Sequence, residues 1–308
     1  MRIIFMGTPH FAVPTLKALA ASRHELLAVV TNPDRRKGRG RQMASPPVKE
    51  QALEFEIEVL QPASTKDPAL AEALTALAPD LFVVVAFSIL PKRLLEIPRL
   101  GSVNLHPSLL PAYRGAAPII WAVVNGEKET GISTFQLNPR IDAGDILLQR
   151  PFTIGEDETA GELEARLCIE GASMVVETLD GLEDDRITGY AQNAQGITRA
   201  PKLVKEDALI HWDRPAEEIR NLVRGMNPVP GAFTHWQGQP FKIHRAQHAE
   251  GSGPPGTVLR ADGREGPVIA CGTGALLLHN VQPAGKAAME GTAFVRGYPI
   301  EVGALLGA

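Results

Sequence analysis

The sequence predicts an α/β protein: a doubly wound, mostly parallel sheet followed by a small β-structured domain. Three observations carry this. Short apolar runs alternate with amphipathic stretches from Arg2 to Leu182, the spacing of strands and helices in such sheets. From Gly189 to Glu206 the chain turns polar and irregular, as a linker would. Beyond Asn227-Pro228 the pattern changes to short β-type runs separated by Gly and Pro clusters, which suggests a small barrel or sandwich. At 308 residues the chain also exceeds the usual single-domain size. The expected division is 1–188, a linker at 189–207, and 208–308.

Taken in order, Arg2–Met6 is an apolar strand, Phe11 to Ala21 is amphipathic, and Leu26–Thr31 is a second strand. Pro47–Glu56 reads as a helix, Glu58–Leu60 as a strand and Pro68–Ala78 as a helix. Strands follow at Leu81–Ala86 and Leu100–Asn104, with a helical turn near Pro91–Glu96 between them. Ala117–Asn125 looks helical, and Ile132–Leu137 and Ile146–Phe152 look like strands. Thr159–Leu182 is a long helix, opened by Thr159 as N-cap with Glu162 three residues on. A short helix is expected at Ala216–Met226, then β-runs at Phe241–His244, Thr257–Arg260, Val268–Cys271 and Ala275–Val281.

Composition narrows the function classes. The chain is 44% hydrophobic and 21% charged, and no apolar run approaches the roughly 18 residues that suggest a membrane span. MRIIFMGTP reads as a strand and turn without a signal-peptide pattern, so a cytoplasmic location is expected. Gly7-Thr8-Pro9 is no G-x-G-x-x-G fingerprint, which argues against NAD. Cys168 and Cys271 lie far apart without metal-ligand spacing, so buried, unreactive thiols are expected, with neither a disulfide nor a metal site. A net charge of −4 does not suit a surface that binds nucleic acid all over. Positive charge is concentrated instead between Pro33 and Lys49, where Arg35, Arg36, Lys37, Arg39, Arg41 and Lys49 face the single acid Asp34. Gly38 and Gly40 suggest a flexible loop, either a solvated surface feature or one built to track phosphates.

Asn104 and His106 fall at or just beyond the carboxyl end of a strand, where open parallel sheets carry their ligands. Residues i and i+2 share a face, so the two side chains converge. With Asp142 on the loop Asn138–Gly144, the trio suits attack of an amine on a carbonyl. An amide N–H and an imidazolium would stabilise the oxyanion, while the carboxylate orients His106 and raises its pKa or orders a water for proton transfer. The same residues would serve equally as turn caps and a satisfied histidine; spacing alone does not choose.

The stretch Asn104–Asp145, NLHPSLLPAYRGAAPIIWAVVNGEKETGISTFQLNPRIDAGD, resembles the signature of the 10-formyltetrahydrofolate-dependent formyltransferases. RIIFMGTPHFA, PDRRKGRGRQMASPPVK, VVVAFSILPKRLLE, NPVPGAF and VQPAGKAAM extend the likeness over the whole chain. The resemblance implies a Rossmann-like catalytic domain with Asn104, His106 and Asp142 as catalytic triad, and an OB-like carboxy-terminal barrel that supports RNA binding. Folate, as the formyl-donor co-substrate, would meet Phe87, Ser88, Ile89, Leu90, Ser108, Leu109, Pro111, Arg140 and Ile141, with no metal. AFSILP is one residue shorter than the commoner family form, and Asn138-Pro139-Arg140 stands where an acidic or glycine-containing run is more usual. Tyr113 and Arg114 would shape the wall of the site.

The basic loop and the carboxy-terminal pieces point within the family to charged initiator tRNA as acceptor. Arg35, Arg36, Lys37, Arg39 and Arg41 would then meet the acceptor stem, with Arg39 at the key basic position. A monomer is expected. Two other classes remain: a formyltransferase acting on a nucleotide-linked amino sugar or other small amine, which has no use for the basic loop, and a non-catalytic RNA-binding protein, which has no need of the trio.

Overall fold

The structure, a computed structural model, describes residues 1–37 and 42–307. Seven strands form the main sheet: β1 (Arg2–Gly7), β2 (Glu25–Val30), β3 (Val59–Leu60), β4 (Leu81–Val85), β5 (Ser102–His106), β6 (Glu129–Gln136) and β7 (Ile146–Thr153), in spatial order β7-β6-β5-β4-β1-β2-β3. From β5 to β3 all pairings are parallel, and β6 runs antiparallel to β5. The chain winds from β1 out to β3 and then continues on the other side of β1 with β4. This places the topological switch point between β1 and β4, beside the loop that follows β4. Continuous apolar sequence explains the central strands: Ile3–Gly7 and all of β4 are buried.

The helices α1 (Val13–Ala20), α2 (Pro47–Glu54), α3 (Pro68–Ala76), α4 (Lys92–Leu95), α5 (Pro118–Val124) and α6 (Ala160–Glu183) connect or follow these strands. Leu70 and Leu74 of α3 and Leu94 of α4 pack with Ile4, Met6, Val30, Phe82 and Val84 in one core. Asp67 caps α3 by accepting from the Ala69 amide at 3.0 Å, and Pro68 supplies a first-turn residue that needs no N–H. At α6 the expected cap is present in full. The Glu162 amide donates to Thr159 Oγ1 at 3.2 Å, and Glu162 Oε2 accepts from both the Thr159 amide and its hydroxyl at 2.8 Å.

Two compact units result, one of Met1–Gly115, Thr130–Phe152 and Glu164–Arg199, the other of Ala116–Glu129, Thr153–Leu163 and Ala200–Ala308. The second unit carries α7 (Ala216–Gly225), α8 (Gly291–Gly297) and an antiparallel sheet of β8 (Ala232–Trp236), β9 (Gln239–Ala249), β10 (Val258–Asp262), β11 (Gly266–Ala270) and β12 (Ala275–Pro283), in order β8-β9-β12-β11-β10. Its core joins Phe241, Phe294 and Ile243 to Ile219 and Val223 of α7. Trp236 lies edge-on to Phe294 at 5.1 Å, and Phe294 stacks on Tyr298 at 5.0 Å.

The polar segment expected as a linker is built into the structure. Arg199–Ala200 pairs with Arg114–Gly115, Tyr190 bridges Ile146, and Lys205–Ala208 is a 3-10 turn. Within it the Gln192 and Thr198 side chains bond the main chain of neighbouring loops, so polarity here does not mean a free connector. The basic segment also departs from a plain flexible loop: Arg35–Lys37 and Gln42–Ala44 pair antiparallel as the arms of a hairpin.

The α6 cap generates a stability prediction. Thr159→Ala should lower the unfolding free energy by about 1 kcal/mol, seen as an earlier urea midpoint at unchanged slope. The Thr159 amide holds the Glu162 carboxyl below its usual range. That contribution is therefore present above the ordinary glutamate pKa and lost as pH falls through the depressed one.

Candidate active site

β5 runs two residues further than its apolar core suggests, because its pairing with β6 carries it through His106, which lies opposite Ser133. Asn104 and His106 are thus both on the strand, at its carboxyl end. His106 is buried, and its ring meets Phe135 edge-on at 6.4 Å. His106 Nε2 lies 2.9 Å from the Tyr113 carbonyl. A carbonyl only accepts, so Nε2 carries the proton in the neutral ring and Nδ1 keeps its lone pair. Nδ1 faces Asp142, with Oδ2 at 3.9 Å. This is too long for a direct hydrogen bond, so the carboxylate acts on the ring through its field.

Asp142 Oδ2 is itself held by the Gly115 amide at 2.8 Å. Gly144 must be glycine for this loop to close, since a Cβ there would lie 1.6 Å from the Gln136 carbonyl oxygen. Three residues of the site adopt left-handed backbone without being glycine: Ala86 at φ 47°, Tyr113 at φ 58° and Asp142 at φ 46°. Such conformations cost energy and persist where the surroundings over-determine them.

The expected charge state of His106 is corrected by the geometry. Burial pushes its pKa below the usual histidine value, outweighing the upward pull of Asp142 and of the bond to Tyr113. The ring is therefore neutral near pH 7, a proton acceptor at Nδ1 rather than a standing imidazolium.

Asn104 and Asp142 both line a cavity together with Phe87, Ser88, Ile89, Leu90, Arg140 and Ile141, the residues expected around a pterin. Val84, Leu95, Leu137, Asn138 and Pro139 complete it. Among the described residues the Asn104 side chain has no hydrogen-bond partner, which leaves its amide available to a ligand. Ile89 and Ile141 stand 72% and 62% exposed at the rim, apolar surface suited to a flat ring. The Arg140 amide donates to Asn138 Oδ1 at 2.9 Å, a turn that the Asn-Pro-Arg sequence closes by itself. Ser108, Leu109 and Pro111 do not line this cavity. Ser108 is fully buried with its hydroxyl donated to the Ala112 carbonyl, because it builds the turn that presents Tyr113.

Arg114 donates to Gln192 Oε1 from Nη2 at 2.6 Å and from Nε at 3.1 Å. Gln192 went unread in the sequence; it sits in a polar segment with nothing local to mark it. In the basic segment Arg35 and Arg36 are exposed. Arg39 and Arg41 lie outside the described residues, as does the side chain of Lys37. Lys49 is not free for phosphate, because Asp34 accepts from its ammonium at 2.8 and 3.0 Å.

Cys271 is buried, with its thiol pushed up to about 12 by desolvation. Cys168 is only half-buried, a correction explained by its place on the outer side of a turn of α6, where its thiol donates to the Ala165 carbonyl. Among the described residues one group, His24, Asp180 and Glu183, has spacing for a metal ion. Its carboxylates already pair with Arg23 and with the Met1 amine. No helix among the described residues is long and apolar enough to cross a membrane.

Comparison with known proteins agrees with this architecture. Residues 1–179 match the formyl transferase family, and residues 202–299 match the formyl transferase C-terminal domain. A methionyl-tRNA formyltransferase of Pelobacter propionicus is 50% identical over 306 residues, covering 99% of this chain and 96% of that protein. One from Moorella thermoacetica is 48% identical over 310 residues, covering 100% and 99%. Among solved structures, an N-formyltransferase from Helicobacter canadensis in complex with folinic acid and dTDP-3-aminofucose superposes with a TM-score of 0.70 at 19% identity, over 92% of this chain and 99% of that one; it shares the fold. With a family match across more than half its length and relatives near half identical end to end, the chain belongs to the formyl transferase family.

Proposed function

We propose that this protein transfers the formyl group of 10-formyltetrahydrofolate to the α-amino group of the methionine carried by initiator tRNA, acting in the cytoplasm as a monomer. The observation that carries the reading is its near-half identity, over essentially the whole chain, to proteins named for that reaction. The nucleotide-sugar alternative has only a likeness of fold at 19% identity in its favour.

In this reading folate lies against Phe87, Ser88, Ile89, Leu90, Arg140 and Ile141, and the formyl carbon sits within reach of Asn104. The amine attacks that carbon, and the oxygen becomes an oxyanion that the Asn104 amide stabilises, a contribution of roughly 2.7–4 kcal/mol for a well-placed donor. The proton leaving the amine goes to His106 Nδ1. This creates an imidazolium between the Tyr113 carbonyl and the Asp142 carboxylate, both of which favour it. Collapse breaks the bond to the folate nitrogen, and His106 returns the proton there. Formyl-methionyl tRNA and tetrahydrofolate leave. Arg35, Arg36, Lys37, Arg39 and Arg41 would follow the acceptor stem, and residues 208–308 would hold more of the tRNA, as small β-domains of this kind do with nucleic acid. The deciding assay offers labelled formyl donor with charged initiator tRNA, charged elongator tRNA and amino sugars side by side; transfer to the sugars alone overturns the proposal.

His106→Ala should slow formyl transfer by on the order of 10²–10⁴ with tRNA binding nearly unchanged. Because burial holds the His106 pKa down, the acid limb of kcat/KM should lie below the ordinary histidine value. Asp142→Asn should move that limb lower still, since it removes the group that pulls the pKa up. Near-normal turnover in His106→Ala refutes the mechanism.

A second test concerns the basic segment Pro33–Lys49. Arg39→Ala should reduce efficiency with initiator tRNA far more than Arg36→Ala and leave folate affinity alone. A loss of roughly 1–3 kcal/mol with relaxed discrimination against elongator tRNA identifies a base-edge contact, and uniform weakening identifies a phosphate contact. Parent-like kinetics in Arg39→Ala would make the basic segment a solvated surface feature.

A further inference from the structure

The segment from Gln192 to Thr198, polar and without a local motif, bonds the backbone of both residues that flank the His106 ring. Gln192 Nε2 donates to the Asp142 carbonyl at 2.9 Å and to the Gly144 carbonyl at 2.8 Å, holding the backbone of the residue that carries the carboxylate and of the loop just after it. Its Oε1 accepts twice from Arg114, one residue before the Gly115 amide that holds Asp142 Oδ2. Thr198 engages the other flank. Its Oγ1 accepts from the Tyr113 amide at 2.8 Å, and its carbonyl accepts from the Arg114 amide at 3.0 Å. Tyr113 is the residue whose carbonyl binds His106 Nε2.

From these contacts we infer that Gln192 and Thr198 are positioning residues for formyl transfer, a clamp that fixes the Tyr113 carbonyl and the Asp142 carboxylate on either side of His106. The inference rests on the functional reading above.

The chemistry of the carboxamide supports the assignment. One end of Gln192 must accept from a guanidinium while the other donates two N–H bonds to two carbonyls, and among side chains of this length only glutamine does both. Both loops it joins need such a tie, because Tyr113 and Asp142 stand in left-handed backbone that neither residue prefers. A solvated loop would leave the backbone free to relax. The clamp removes that freedom at the two points where a shift of an ångström would move a proton acceptor or its counter-charge.

Gln192→Met keeps the volume and loses every bond; Gln192→Glu keeps the pairing with Arg114 but sets an anion against two carbonyls. Both should lower kcat by about 10²-fold with KM for folate and for charged tRNA nearly unchanged, the magnitude expected when reacting groups are slightly misplaced. Thr198→Val should lower kcat similarly, and Thr198→Ser, which keeps the hydroxyl, should recover most of the loss. Gln195→Ala serves as the control; it lies exposed on the same segment. Hydrogen exchange read on the same proteins supplies an arm that does not depend on catalysis: exchange at Gly115 and across 139–145 should quicken in Gln192→Met.

Unchanged kcat together with unchanged exchange in Gln192→Met overturns the clamp, as does a loss confined to KM. If Gln192→Met does not fold, the Thr198 pair decides by the same split. A parent protein that transfers no formyl group to any amine brings down the functional reading instead, and the exchange arm still decides whether Gln192 ties the two loops.

Discussion

One buried hydrogen bond, from His106 Nε2–H to the Tyr113 carbonyl, governs the rest of the site. It fixes the tautomer, and with it the direction in which the free lone pair of Nδ1 points. Everything else in the neighbourhood makes that arrangement useful. The carboxylate of Asp142 lies on the Nδ1 side, near enough to favour a cation and too far to take the proton itself. The turn that offers the Tyr113 carbonyl also offers, two residues later, the Gly115 amide that holds Asp142. A single turn therefore positions both neighbours of the ring, and burial holds the ring's pKa below the usual histidine value.

Much of this was legible in the sequence because the main sheet is built from uninterrupted apolar runs, which read as buried parallel strands without knowledge of their partners. β5 ends two residues beyond the expected Asn104 because His106, just before Pro107, looks like a loop residue; pairing with β6, invisible locally, keeps it in the strand. β8 and α8 were not read at all. AFTHW alternates too briefly to stand out, and GTAFVRG, bounded by glycines, is too short for a helical period. Asn104, His106 and Asp142 could be grouped from their spacing and their resemblance to a known signature. Gln192 could not, because it reaches main-chain carbonyls 48 and 50 residues away, and a side chain that recognises backbone leaves no trace in the identity of the residue it recognises. Composition misled in the same place: a run of polar residues looks like linker whether its side chains meet water or the peptide groups of a neighbouring loop.

Local charge counts needed similar correction. The segment from Pro33 to Lys49 is basic in sequence, yet Lys49 belongs to a small internal network in which Asp34 also accepts from Gln61 at 2.9 Å. These bonds hold the Asp34 carboxyl below its ordinary range. The positive charge turned outward by the described arms is that of Arg35 and Arg36, carried on paired strands. A hairpin orders its arms before any ligand arrives, which reduces the entropy lost when its arginines dock.

The left-handed residues Ala86, Tyr113 and Asp142 have a consequence for how this enzyme can be improved. Glycine would relieve backbone strain at Ala86, where only an exposed methyl is lost, whereas at Tyr113 it would delete a buried ring and at Asp142 the carboxylate bonded to the Gly115 amide, so selection for heat resistance alone would favour replacement at Ala86. Thermostability and the shape of the loop that follows β4 are thereby set against each other at one identifiable site, Ala86. A stabilised variant that keeps its activity would have to draw its gains from elsewhere, from helix caps, surface charge or the second unit, and leave the Ala86 backbone under tension.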